Sequence, residues 1–230
     1  RLLLLTHINH KTGLILPVAE ISRLAKARGI DVILDAAHSW GQIDFQVPDL
    51  GVDFAAFNLH KWVGAPLGVG FIYIAKGRLD DIDHHLTGRD HAAGDIRSRV
   101  HSGTTNTANV MTVPTALSYQ ADIGVRNKEA RLRYLRDYWV TRVKDIRELQ
   151  ILTPEDPRLY AAITSFRFRG KTSRADNQEI ARRLREQYGI FTVARGGLHS
   201  GDVVRVTPAI FTRPGDLDKL VAALHQIARG

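Results

Sequence analysis

The chain has 230 residues, of which 44% are hydrophobic and 24% are charged, the usual balance of a globular protein. It contains no cysteine, which excludes disulfides, thiolate metal sites and cysteine nucleophiles. No apolar run approaches the roughly 18 residues that cross a bilayer, and no signal peptide is evident. The composition therefore predicts a cytoplasmic protein without a membrane partner.

The formal net charge of +8 is densest in two stretches, 126–147 and 182–185. Apolar residues recur there at helical spacing, so we interpret the charge as the solvated faces of two helices. No motif typical of nucleic-acid binding accompanies it, and we predict no nucleic-acid partner.

The first half of the chain alternates short apolar runs with polar or helical segments. Four strands are predicted, at 2–8, 32–34, 54–57 and 69–75. A helix begins at Pro17 and ends at Gly29, a residue typical of helix C-termini. Its apolar face carries Val18, Ile21 and Leu24. Uniformly apolar strands separated by helices indicate a mainly parallel, covered sheet.

The second half predicts longer helices and fewer strands. Helices are expected at 107–123, 125–148, 176–188 and 214–229. Strands are expected at 163–169, 191–194 and 203–206. This order predicts part of a large α/β domain over 1–105, a connecting helix over 106–125, and a small α+β domain over 126–230.

The chain opens directly on a buried strand, without a polar lead-in. A doubly wound sheet of so few strands would leave wide edges uncovered. We therefore expect an N-terminal section outside this chain, or a partner chain, to complete the sheet.

An acid and an amine follow two of the predicted strands. Asp35 ends one apolar run and Lys61 comes soon after another, and ligands of open α/β sheets lie beyond such strand ends. A lysine there can form a Schiff base with an aldehyde, and a carboxylate can keep a pyridine nitrogen protonated. Taken alone, an Asp at a strand end is usually a turn or cap residue, and a lysine usually lies on the surface.

The two residues stand within longer motifs. Residues 35–38 read DAAH and residues 58–68 read NLHKWVGAPLG. The segments HINHKTGL at 7–14, SGT at 102–104 and RVTP at 205–208 accompany them. In this order the motifs resemble the class V aminotransferase family of pyridoxal-phosphate (PLP) enzymes, which includes cysteine desulfurases and kynureninases. The His-Lys-Trp and Ala-Pro-x-Gly pattern is most similar to the isopenicillin N epimerase-like subgroup.

The resemblance implies an α/β fold of the fold-type I class, with the C-terminal part of a PLP-binding large domain followed by a small α+β domain. It also implies that Lys61 holds PLP as a Schiff base and moves the proton at Cα of an amino-acid substrate. Asp35 would pair with the pyridine nitrogen, and His38 would hydrogen-bond the phenolic oxygen.

The resemblance also implies a phosphate site. Asn58 and His60, which precede Lys61 in the motif, would face the phosphate. Gly103 and Thr104 match a turn that reaches the phosphate of a neighbouring subunit. A homodimer with a shared active site follows from that match.

Two residues are assigned to the substrate by the same resemblance. Arg205 would pair with the substrate carboxylate, for which a planar guanidinium is well suited. His10 stands where several relatives have Asn or Tyr.

The resemblance leaves the reaction open. Transamination is the nominal activity, and β-lyase or epimerase activity shares the same fold and motifs. A persulfide-forming desulfurase is excluded, because the loop at 195–201 reads RGGLHSG and has no cysteine. An inactive remnant that serves as an interaction module is the alternative from another class, and intact Lys61, Asp35 and Arg205 argue against it.

One histidine-rich acidic stretch raises the question of a metal. Adjacent His84 and His85 would diverge on a strand, and no helical histidine pair is present, so we predict no metal site. The stretch comprises Asp80, Asp81, Asp83, His84, His85, Asp90 and His91.

Overall fold

The computed structural model describes residues 1–86, 91–100 and 103–229. The chain divides into two compact units. The first comprises Arg1–His7, Pro17–Gly41 and Phe45–Asp122, and the second comprises Ile8–Leu16, Gln42–Asp44 and Ile123–Gly230. Two short segments from the first half therefore belong to the second unit. The three-part division at 105 and 125 stays a prediction.

A four-stranded sheet in the order β1-β2-β3-β4 forms the base of the first unit. Its strands are β1 (Leu2–Thr6), β2 (Asp31–Asp35), β3 (Phe54–Asn58) and β4 (Gly70–Ile74). The first three run parallel, and β4 pairs antiparallel with β3. The four predicted strands and the mainly parallel sheet are thus confirmed.

The two faces of this sheet differ in exposure among the described residues. Alternate residues point to opposite faces of a strand, and Val32, Leu34 and Phe57 on one face are at most 2% exposed. On the other face Leu2 and Leu4 are 61% and 69% exposed. The cover expected for this sheet is therefore seen on the face that carries Val32, Leu34 and Phe57.

The helix α1 spans Val18–Lys26. Its buried face includes Ser22 and Ala25, whose small side chains allow close packing, whereas Leu24 is 41% exposed. The assignment of Leu24 to the buried face was wrong. The helix also ends before Gly29, which takes the following turn with a φ of 62°.

The predicted helix at 107–123 is broken into α2 (Thr107–Met111) and α3 (Val113–Ile123). Pro114 explains the break, because proline lacks an N–H and its ring clashes with the carbonyl four residues earlier. A proline is tolerated in the first turn of a helix, so a new helix starts there.

The second unit contains an antiparallel sheet in the order β5-β6-β8-β7. Its strands are β5 (Leu149–Ile151), β6 (Thr164–Phe168), β7 (Val193–Arg195) and β8 (Val203–Val206). Its helices are α4 (Val125–Arg142), α5 (Arg174–Tyr188) and α6 (Pro214–Ala228). Side chains such as Trp139, Phe166 and Leu224 form the core between one sheet face and the helices.

Two sequence predictions for this unit need correction. The helix expected over 125–148 ends at Arg142. The residues that follow include β5, which was not predicted and which pairs with β6 in extended conformation. Three residues are too few to show a strand periodicity in the sequence.

The segment Ile8–Leu16 is fixed by hydrogen bonds within the second unit. The hydroxyl groups of Ser165 and Thr153 donate to the backbone carbonyls of Lys11 and Thr12. Gly13 has a φ of 77°, and a Cβ atom there would lie 1.9 Å from the carbonyl oxygen of Ile163. Only glycine fits this position, so the segment lies directly against the strand region.

No helix among the described residues is both long and apolar enough to span a membrane.

Candidate active site

The carboxyl ends of β2 and β3 carry the predicted acid and amine. Asp35 is the last residue of β2 and pairs in register with Ala56 of β3. Asn58 is the last residue of β3, and Lys61 follows it in the next turn. Because the two strands are parallel neighbours, their carboxyl ends lie at the same edge of the sheet. Asp35, Asn58 and Lys61 therefore emerge at one edge.

Backbone hydrogen bonds hold Asp35 in place. Its Oδ1 atom accepts from the N–H of Ala37 at 2.9 Å, a local side-chain to backbone bond that is typical of Asp. Its carbonyl oxygen accepts from the N–H of His7 at 3.0 Å. The carboxylate is half-buried, and its orientation follows from the turn that it stabilises.

His38 and Trp62 join the turns that follow the two strands. The indole Nε1 of Trp62 donates to Nδ1 of His38 at 3.3 Å. An indole can only donate, so Nδ1 is an acceptor and the neutral His38 ring carries its proton on Nε2. Trp62 was expected only as part of the motif around Lys61, and its hydrogen bond to His38 was not predicted.

Lys61 lies on an anchored turn. The flanking residues Leu59 and Val63 are 5% and 2% exposed, whereas Lys61 itself is exposed. The ring Nδ1 of His60 lies 3.4 Å from the carbonyl oxygen of Val69. That contact leaves Nε2 of His60 as the atom that can face a ligand.

Gly103 and Thr104 are exposed and lie in the first unit. Ser102, the first residue of their motif, lies outside the described residues. In the part of the chain that the structure describes, Thr104 makes no hydrogen bond or ion pair. Within the described residues, no hydrogen bond or ion pair joins Gly103 or Thr104 to Asp35 or Lys61.

Arg205 and His10 lie in the second unit. Nη1 of Arg205 donates to the backbone carbonyl of His10 at 2.8 Å. Burial, followed by the positive charge of Arg195, lowers the pKa of Arg205 to about 10. His10 thus contributes its backbone to the contact, and Arg195 is a neighbour that sequence analysis did not assign.

The acidic, histidine-rich stretch shows no metal geometry where it is described. Across residues 1–86, 91–100 and 103–229, no three His, Asp or Glu side chains gather as metal ligands. Nη1 of Arg99 lies 2.8 Å from Nε2 of His84. Asp90 of this stretch lies outside the described residues.

An aromatic cluster formed by His7, Trp40, Phe45 and Phe57 lies in the first unit. The ring of His7 meets Phe45 edge-on at 4.9 Å, and Trp40 contacts Phe45 and Phe57 at 6.0 and 5.3 Å. His7 is 4% exposed, and its Nδ1 has no hydrogen-bond partner among the described residues. Burial lowers the pKa of His7 to about 4, so the ring is neutral at pH 7.

Comparison with protein families identifies the chain. The family model described as aminotransferase class-V matches residues 1–219. The chain belongs to the aminotransferase class-V family, and the family assignment made from the motifs is confirmed.

Relatives of known name agree with this assignment. Isopenicillin N epimerase of Streptomyces clavuligerus is 31% identical over 99% of this chain and 60% of the relative. A probable cysteine desulfurase of Methanothermobacter thermautotrophicus is 26% identical over 99% of the chain and 60% of the relative. The chain thus spans about 60% of the length of these curated relatives.

Solved structures share the fold. The apo cysteine desulfurase from Thermococcus onnurineus NA1 matches with a TM-score of 0.83 and 22% identity, over 100% of this chain and 60% of that one. A C-DES mutant with glycine covalently linked to its PLP cofactor matches with a TM-score of 0.82 and 22% identity, over 97% and 60% of the two chains. The predicted fold class is confirmed.

The burial of His7 predicts a specific pH dependence of stability. Its pKa is about 4 in the folded protein and about 6.5 when unfolded, so protons bind more tightly to the unfolded state. The stabilisation that comes from keeping the His7 ring neutral is complete above about pH 6.5. As the pH falls from there toward 4, the free energy of unfolding decreases by about 1.4 kcal/mol per pH unit.

A His7→Phe variant keeps the ring contact and removes the titration. Urea unfolding followed by tryptophan fluorescence, at several pH values between 7 and 4, should show wild-type stability falling relative to the variant. If the free energy of unfolding changed with pH to the same extent in both proteins, the lowered pKa of His7 would be contradicted.

Proposed function

We propose that this chain is part of a PLP-dependent enzyme that acts at the Cα atom of an amino acid, with Lys61 as the attachment point of the cofactor. The proposal rests mainly on the position of Asp35 and Lys61, which lie at the same edge of the sheet because β2 and β3 are neighbouring parallel strands. Membership of the aminotransferase class-V family supports it. So does the likeness to a C-DES structure that has glycine covalently linked to PLP.

The groups at this edge fit PLP one by one. Asp35 offers a carboxylate, oriented by the N–H of Ala37, to a pyridine nitrogen. His38 carries a proton on Nε2, which suits a phenolic oxygen as acceptor. Asn58, and His60 through its Nε2 atom, are polar groups for the phosphate. When bound, PLP supplies an electron sink for the charge left at Cα.

Each residue then has a defined task. Lys61 takes the proton from Cα and returns it, and the buried residues on either side of it hold its backbone in position. The negative charge of Asp35 favours a protonated pyridine nitrogen. Arg205 pairs with the substrate carboxylate through two parallel N–H donors.

The position to which the proton returns decides the reaction. Transamination is the nominal activity of this chain. Epimerisation and β-elimination are the alternatives, because similar proteins are named isopenicillin N epimerase and probable L-cysteine desulfhydrase. The persulfide route of desulfurases is not available to a chain without cysteine. The cytoplasmic location and the lack of a nucleic-acid partner stay predictions.

Substitution of Lys61 tests the cofactor attachment. With excess PLP the wild-type protein should show an absorbance band near the visible, and borohydride should fix the cofactor to the peptide containing residue 61. Lys61→Ala should lose both signals, because it removes the amine to which the proposal attaches the cofactor. Lys76→Ala, which removes an exposed lysine after β4, should keep them.

Two results would refute this proposal. One is cofactor fixed to the same extent in Lys61→Ala. The other is no band in the wild-type protein even with excess PLP, which would favour the interaction-module alternative.

We also propose that the enzyme is a homodimer in which Gly103 and Thr104 reach the phosphate bound by the partner. Both residues are exposed in this chain. Helices α2 and α3 nearby have no buried residue. They expose the apolar side chains Val110, Met111, Leu117 and Tyr119. An exposed apolar surface of this kind is typical of an interface between subunits.

A charge on this surface should weaken the dimer. Met111 is 73% exposed, and Met111→Lys should raise the dimer dissociation constant by at least about tenfold, since a lysine is costly to bury. Leu24→Lys on α1 is the matched control. Analytical ultracentrifugation measures both, and a wild-type monomer, or equal effects of the two substitutions, would contradict the proposal.

A further inference from the structure

One face of the antiparallel sheet in the second unit presents two arginines side by side. Arg195 of β7 lies opposite Val203 of β8, and Arg205 follows two residues further along β8. Because side chains alternate along a strand, both arginines lie on the same face as diagonal neighbours, about 7–8 Å apart at Cα. The opposite face carries Val204 and Val206, which belong to the core.

The chain leaves both guanidinium groups incompletely bonded. The Nε atoms of Arg195 and Arg205 are buried and have no hydrogen-bond partner among the described residues. Among the described residues, the hydrogen bond that Arg205 donates runs from Nη1 to the carbonyl of His10. Within residues 1–86, 91–100 and 103–229, no carboxylate forms an ion pair with either arginine. Asp202, which lies beside Gly196, is not paired with them either.

A third arginine on this face shows the contrast. Arg167 of β6 is 6% exposed, and its Nε donates to the side chain of Gln150 at 3.0 Å. Its Nη1 donates to the carbonyl of Ser200. Arg167 is therefore bonded by the protein as a structural arginine, whereas Arg195 and Arg205 keep donors for a ligand.

The positive charge around Arg195 and Arg205 favours a ligand with more than one anionic group. Lys11 adds a further cation, since its Nζ donates to the carbonyl of Gly197, two residues after Arg195. Like charges gathered in a partly buried place repel one another and lose hydration. A single carboxylate would pair with one guanidinium and leave the other uncompensated.

We propose that Arg195 and Arg205 bind a ligand with two anionic groups, so that the substrate is an amino acid whose side chain carries a carboxylate or a similar anion. Arg205 takes one carboxylate, an assignment that rests on the function proposed above, and Arg195 takes the other. A guanidinium presents only donors, so it discriminates against an amide, whose NH₂ group also donates.

Diacids and their half-amides test the second anionic group directly. Succinate, glutarate and adipate each match their half-amide in size and differ from it by one charge. Calorimetry on the protein as isolated should show at least one diacid binding about tenfold or more tightly than its half-amide, the strength of one charge-assisted hydrogen bond.

Substitutions assign this preference to a residue. Arg195→Gln should abolish the preference and leave half-amide binding within about twofold of wild type, whereas Arg205→Gln should weaken both ligands. Arg195→Lys, which keeps the charge without the planar fork, should show a reduced preference, and thermal melting checks that each variant folds. Arg185→Gln on the exposed part of α5 removes the same charge and should change nothing.

Equal binding of every diacid and its half-amide, or a preference that survives Arg195→Gln, would overturn the proposal. The calorimetry needs no bound cofactor. A missing cofactor band on Lys61 would therefore refute the PLP function alone, and the two failures are distinguishable.

Discussion

The candidate site depends on the parallel pairing of β2 with β3. Parallel pairing places the carboxyl ends of both strands at one edge, and the register of Asp35 with Ala56 sets how far each strand extends toward it. The two turns beyond that edge are then joined by the hydrogen bond between Trp62 and His38. A slip of one residue would turn the Asp35 side chain to the other face of the sheet. The role proposed for Asp35 and Lys61 therefore depends on strand register before any ligand is considered.

The second unit shows the same link between register and chemistry. Its sheet has one apolar face in the core and one face that carries arginines. Burying guanidinium donors without partners is costly, and folded proteins keep such arrangements mainly at functional sites. Both kinds of arginine occur on one face of this sheet. Arg167 is hydrogen-bonded by the protein, whereas the Nε atoms of Arg195 and Arg205 have no partner among the described residues.

The local sequence was sufficient to predict the strand-end residues of the candidate site and the protein family. Asp35 and Lys61 were predicted because an apolar run marks a strand and its end is visible in the sequence, so the strand-end position needs no knowledge of neighbours. The motif around Lys61 then supplied the family, since its residues are contiguous. Features that depend on a single turn or strand end were thus accessible.

Features that depend on strand pairing or side-chain packing could not be predicted from the local sequence. The strand at 191–194 was expected to end before Arg195, whereas β7 includes it, and only the register with β8 shows that Arg195 and Arg205 share a face. Leu24 was assigned to the buried face of α1, but the small side chains of Ser22 and Ala25 determine which side packs closely.

Exchange of the Cα proton of an amino acid with deuterium, followed by NMR in D₂O, tests most directly whether Asp35 and Lys61 act together. With PLP bound, the wild-type protein should catalyse exchange. Lys61→Ala should abolish it, and Asp35→Asn should slow it by about 10²-fold or more, as expected when a key electrostatic contact is removed. Exchange in Asp35→Asn within about twofold of wild type, with the cofactor still bound, would contradict the role assigned to the edge formed by β2 and β3.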